Sequence, residues 1–163
     1  MQQRARRSTQ PLGVMSTVVD KSPQIETVEG RLRYGGNHVL WDIVIANIAV
    51  IGEYTNQNGP YADDYFLVFM ERGNTQWYEA SFYAHGRDEA LKSLAIQLGA
   101  ELECQLSHST DFRSRVMWPS ALAGREMFQW MSRSFGHRVT QRIHPQIADF
   151  MTPNTSLERT REG

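Results

Sequence analysis

Val39–Tyr54 reads VLWDIVIANIAVIGEY and Asp64–Glu71 reads DYFLVFME, with TNQNGPYAD between them. Apolar residues occupy both parities of the longer run, as in a strand covered on both faces. Its Ile and Val density weighs against a helix, where branching at Cβ restricts the side chain. Its sixteen residues exceed an ordinary strand, usually about five or six residues long. A bend or bulge is therefore expected near Asn47 or Gly52. Thr55–Asp63 is a cluster of turn formers, so the two runs become strands joined by a long polar loop.

Working outward, Gln24–Tyr34 alternates, with Val28, Gly30, Leu32 and Tyr34 on one parity and Glu29, Arg31 and Arg33 on the other. A half-buried strand shows that pattern. Gly35-Gly36-Asn37 suits a tight turn. Beyond the turn at Gly73-Asn74, Trp77–Ala84 alternates again. Arg87–Leu98 carries Leu91, Leu94, Ala95 and Leu98 on one stripe. Asp88 and Glu89 sit in its first turn and Gly99 follows it, which predicts a helix. Leu102–Leu106 predicts a strand with Cys104 inward, and Arg113–Trp118 another. Ser120–Phe135 predicts a helix with Met127, Met131 and Phe135 on one face and Gly136 after it. Arg138–Ile143 alternates weakly, and Pro145–Met151 suits a short helix. The expected class is α+β: an antiparallel sheet of five or six strands with two main helices packed on one face.

The 163 residues suit one domain, expected over 24–151, with disordered ends at 1–23 and 152–163. Net charge is −1, so no overall field points to nucleic acid or an anionic membrane. Locally the sign varies: residues 1–23 sum to +3, 24–112 to −8 and 113–163 to +4. A single cysteine, Cys104, forbids an intrachain disulfide and fits a reducing, cytoplasmic setting. The segment after Arg4, Arg6 and Arg7 is too polar for a signal peptide. No apolar run approaches the roughly 20 residues of a spanning helix, so no membrane association is expected.

Chemistry is less legible. Glu53, Tyr54, Asn56, Asn58, Tyr61, Asp63 and Asp64 cluster around the long loop, where carboxylates and amides suit a small polar ligand. They lack the spacing of a calcium loop. Trp77, Glu79, Ser81 and Tyr83, with His85 just beyond, share one strand parity, and large aromatics there suit a protein interface. The candidate binding set is therefore Glu53, Tyr54, Asn58, Asp63, Asp64, Trp77, Tyr83 and His85. Histidines at 38, 85, 108, 137 and 144 and one cysteine make no zinc pattern. No nucleophile elbow or phosphate-cradling loop occurs, so no catalytic residue, metal or cofactor is assigned. Arg113, Arg115, Arg125, Arg133, Arg138 and Arg142, with Trp118, Phe128 and Trp130, suggest nucleic acid, but Met127, Phe128, Trp130 and Met131 at helical spacing read better as core.

The last residues, Thr152–Gly163 (TPNTSLERTREG), resemble the translated ends of hypothetical proteins from mobile integron gene cassettes, where the reading frame runs into the recombination site. The resemblance implies genetic context, in a group often small and oligomeric, and implies no fold. IGEYTNQNGPYADDYFLVF (Ile51–Phe69) is similar to a group of small bacterial proteins from which no catalytic role carries over. The expected function is a non-catalytic binding or interaction module that self-associates, with a small polar ligand or a protein as partner. The alternative is a small hydrolase-like enzyme acting on a polar metabolite, with Glu53, Asp63, Asp64 and His85 around a pocket.

Overall fold

The computed structural model describes residues 22–132 and 139–152. The expected N-terminal arm, apart from Ser22 and Pro23, and the C-terminal tail beyond Thr152 lie outside them. The chain forms β1 (Gln24–Val28), β2 (Arg31–Gly35), β3 (Val39–Val44), β4 (Ile48–Thr55), β5 (Tyr65–Glu71), β6 (Trp77–Ser81), α1 (Arg87–Leu98), β7 (Arg113–Trp118), β8 (Phe128–Ser132), β9 (Val139–Ile143) and α2 (Pro145–Met151). Its class is α+β, and every pair of strands is antiparallel. The strands divide into three sheets, ordered β1-β2-β3, β6-β5-β4-β7 and β8-β9. The expectation of one sheet of five or six strands is corrected accordingly.

The long apolar run breaks where polarity predicts. A 3-10 turn at Ile45–Asn47 separates β3 from β4, so the two halves enter different sheets. A second irregularity falls between Ile51 and Gly52, where the β4–β7 register shifts. A Cβ on Gly52 would stand 2.8 Å from the Arg115 carbonyl oxygen and closer still to Met127 Sδ. Only glycine admits both neighbours without displacement.

β4 lies inside the central sheet and all eight of its residues are buried. Ile51, Leu67 and Phe69 face a core completed by Ile25, Leu32 and Ile43 from the first sheet and by Ala90, Leu91 and Leu94 from α1. Val50, Tyr54, Val68 and Met70 face a second core closed by Met127, Phe128, Ile143, Ile147 and Met151. The two helices thus serve opposite faces of the central sheet. The expected packing on one face is corrected.

Three segments depart from the sequence reading, each for a local reason. Gln24–Tyr34 is a hairpin and not a single strand. Glu29 and Gly30 both take positive φ (50° and 74°), as a two-residue hairpin turn requires. Such a turn reverses the inward parity, so Ile25 pairs with Tyr34 and Thr27 with Leu32. Arg31 and Arg33 then project from the other face onto Asp42, at 2.6 and 3.2 Å. Their guanidinium groups hold the Asp42 carboxyl below the usual range, which explains a carboxylate inside an apolar run.

Leu102–Leu106 makes no strand. Its Gln105 and Leu106 N–H groups donate to the Glu53 carboxylate and the Tyr65 hydroxyl, where a ladder would have offered carbonyls. Ser120–Phe135 makes no helix over its described part. Gly124 sits at φ 82°, and Val116 exchanges backbone hydrogen bonds with Gly124 and Arg125. Ser114 Oγ then accepts from the Met127 and Phe128 N–H groups and delivers the chain into β8. The Met127–Met131 spacing that suggested a helix spans an extended segment.

The two remaining helices follow their signals. Gly99 closes α1 in the left-handed conformation at φ 60°. His144 caps α2 by accepting from the Gln146 N–H, with Pro145 in the first turn. No helix among the described residues is long and apolar enough to cross a membrane.

Candidate functional site

The eight sequence candidates separate into distinct environments. Glu53 points into the first core and is fully buried. Arg115 reaches its Oε1 from β7 through Nε at 2.9 Å and through a terminal guanidinium nitrogen at 2.7 Å. The Gln105 N–H donates to it at 3.0 Å, and the Tyr65 hydroxyl donates to Oε2. Tyr65 in turn accepts the Leu106 N–H at 3.3 Å. Burial, and then the Glu53 hydrogen bond, raise the Tyr65 phenol far above its ordinary range, so it remains a donor. Glu53 is therefore a fastener between β4, β7 and the 102–106 segment, with its oxygens already engaged.

Cys104 borders this network and is partly buried. Burial first, and the Glu53 charge second, push its thiol up to about 11. A neutral thiol is a poor nucleophile. At pH 8, alkylation by iodoacetamide should run about a hundredfold slower than in the chain unfolded in denaturant, and should accelerate as pH approaches 11. Equal rates in the two states at pH 8 would contradict this placement.

Asp64 accepts from the Tyr83 hydroxyl at 2.8 Å, while Asp63 is exposed. Tyr83 lies past the end of β6 on an exposed turn, so Trp77 and Tyr83 do not form one strand face. Trp77 instead packs on Phe128 in the second core and donates its indole N–H to Glu79 at 2.7 Å. His85 uses its backbone: its N–H donates to the Pro23 carbonyl, and its carbonyl accepts from Ile25, pinning the entry of α1 to β1. No group of three metal-ligating side chains converges among the described residues.

Tyr54 and Asn58 do meet. They line a cleft of about 390 Å³ together with Asn56, Phe112, Trp130 and Gln141, a volume within the roughly 300–1,000 Å³ of small-molecule sites. The loop brings its amides there by local bonds. Asn56 N–H donates to the Asp64 carbonyl, closing the loop base, and Asn56 Oδ1 accepts the Asn58 N–H at 2.9 Å. Trp130 on β8 stands opposite Gln141 on β9. Phe112, just before β7, meets Trp130 at 5.9 Å with the rings inclined by 47°. Tyr54 is braced by Phe66 and Phe128, at 5.0 and 5.4 Å between ring centres. Burial, and then the Glu79 carboxylate beside its hydroxyl, raise the Tyr54 phenol well above its ordinary range. Nε2 of Gln141 is buried with no hydrogen-bond partner among the described residues.

No family model matches the chain, and no curated protein or solved structure is significantly similar to it. The site is therefore described by its own residues. Sequence reading missed Phe112, Trp130 and Gln141. The helical spacing around Trp130 points to a core, whereas the period of two from Phe128 to Trp130 is the signal for β8. A larger cleft of about 490 Å³ touches Trp77, Ile143 and Ala148. Among the sequence candidates only Trp77 reaches it, and its walls are mainly apolar.

Three of the basic residues have partners in the described part. Arg115 is committed to Glu53, Arg125 reaches Gln146 at 2.9 Å and Arg142 contacts Gln129 at 3.4 Å. Phe128 is fully buried and unavailable for base stacking.

Proposed function

We propose that this protein is a non-catalytic binding module whose site is the cleft beneath the Asn56–Asp64 loop, and whose ligand is small and polar. The observation carrying this reading is the convergence of three aromatic residues and three carboxamides in one cleft, with two members drawn from the sequence candidates. Such a mixture gives apolar contact area and a few directional bonds, as ligand sites require. The hydrolase alternative draws less support. Glu53 is spent on Arg115, Tyr65 and Gln105, and Asp64 on Tyr83.

The test is an NMR titration of the ¹⁵N-labelled full chain with a mixture of small polar compounds. The Asn58 and Gln141 side-chain amides and the Trp130 indole should shift together, while the Gln105 and Leu106 amides stay still. Shifts confined to Gln105 and Leu106 would move the site to the Cys104 side and reject the cleft.

Self-association belongs to the same proposal. β3 is an edge strand on which Val39 and Leu40 are 57% and 67% exposed, and adjacent apolar residues on an open edge favour pairing with another strand. A monomer mass by sedimentation at high concentration would remove this part. Cytoplasmic residence and carriage on a mobile integron cassette complete the proposal; the single cysteine and the resemblance of the tail support them.

A further inference from the structure

We infer that the cleft takes a neutral saccharide, an inference that rests on reading it as a binding site. Its lining contains no charged side chain among the described residues. Among the described lining residues nothing would offset the desolvation cost of a phosphate, carboxylate or ammonium group. The described lining therefore favours an uncharged ligand.

The polar groups narrow the class further. Asn56, Asn58 and Gln141 supply carboxamides, each with an acceptor oxygen and two donor hydrogens. Vicinal hydroxyls are the complementary chemistry, since each both donates and accepts. Asn56 Oδ1 is already engaged by the Asn58 backbone, which leaves its amino group for a ligand oxygen. Nε2 of Gln141, buried and without a partner among the described residues, meets a ligand oxygen only once its side chain turns into the cleft. Trp130 and Phe112 are only partly buried and inclined to each other, so they form an open apolar wall. The C–H face of a pyranose ring can lie against that wall while its hydroxyl rim meets the amides. A wholly apolar ligand would leave the three carboxamides unsatisfied.

The experiment titrates the full chain with neutral methyl glycosides and disaccharides, the corresponding sugar phosphates, and nucleosides, using calorimetry and the Trp130 indole resonance. The expected result is binding of at least one neutral saccharide and weaker binding of its phosphate. Trp130→Ala should weaken that binding by about tenfold or more. Gln141→Leu, which keeps the side-chain bulk, should weaken it with the melting temperature nearly unchanged. Nucleosides or sugar phosphates binding in preference would overturn the saccharide assignment and leave the module reading standing. Undiminished binding in both variants would overturn the site. Silence from every probe would overturn both readings.

Discussion

Replacing Arg115 with methionine should destabilise the fold by about 3–5 kcal/mol, the usual cost of removing one partner from a buried ion pair. Glu53 is fully buried, and among the described residues Arg115 is its only cationic partner within salt-bridge distance. The substitution retains much of the volume and removes the charge, so the loss measures an orphaned carboxylate, together with the Arg115 hydrogen bond to the Glu103 carbonyl, and not a cavity. Tyr65 and the Gln105 N–H would still donate to Glu53, but hydrogen bonds alone leave its charge uncompensated. Denaturant unfolding measures the effect. The Glu53→Gln, Arg115→Met pair should recover a substantial part of the loss, because neither charge is then buried alone. A single-variant loss below about 1 kcal/mol would mean that the pair behaves as a solvated surface bridge.

Phe128→Ala should cost about 3–5 kcal/mol, in the range of large-to-small changes in tightly filled cores. Phe128 is fully buried and its ring meets Tyr54, Trp77 and Trp130 at 5.4, 5.1 and 6.3 Å. Those neighbours come from β4, β6 and β8, so the vacated space cannot be refilled by one local shift. Trp130 also loses a supporting wall, and ligand binding in the adjoining cleft should weaken alongside stability. Chemical denaturation and titration of the same sample separate the two effects. An unfolding free energy within about 1 kcal/mol of the wild type would show that the β8–β9 pair does not seal the second core.

Parts of this architecture were readable beforehand because single local rules decided them. β4 and β5 announced themselves through unbroken apolar runs around a turn-rich loop, and α1 through its stripe and Gly99. The split of the run at Asn47 was also foreseeable. Elsewhere non-local partners overruled local pattern. Leu102–Leu106 alternates like a strand, yet its N–H groups are taken by Glu53 and Tyr65, about forty or more positions away in the chain. The stretch after Pro119 has helical spacing, but Ser114 and Val116 draw it into extended pairing.

The candidate site shows the same division. Tyr54 and Asn58 were accessible because a loop crowded with amides attracts notice. Phe112, Trp130 and Gln141 reach the cleft from three separate stretches of the chain, and no spacing rule links them. Glu53 looked like a loop carboxylate from its neighbours in sequence, whereas strand parity sends it inward beside Ile51.

The position of β4 between β5 and β7 sets an order of events during folding. β4 reaches β5 across the Asn56–Asp64 loop, while Arg115 lies 62 residues beyond Glu53. The entropic cost of closure rises with the length of chain enclosed, so the nearer hairpin forms early and β7 docks late. During that interval one flank of β4 stands open and Glu53 keeps its water. The arrival of Arg115 then acts as a latch: stopped-flow measurements on Arg115→Met should find refolding nearly as fast as in the wild type and unfolding markedly faster. A refolding rate that absorbed the whole loss would place the latch before the barrier instead.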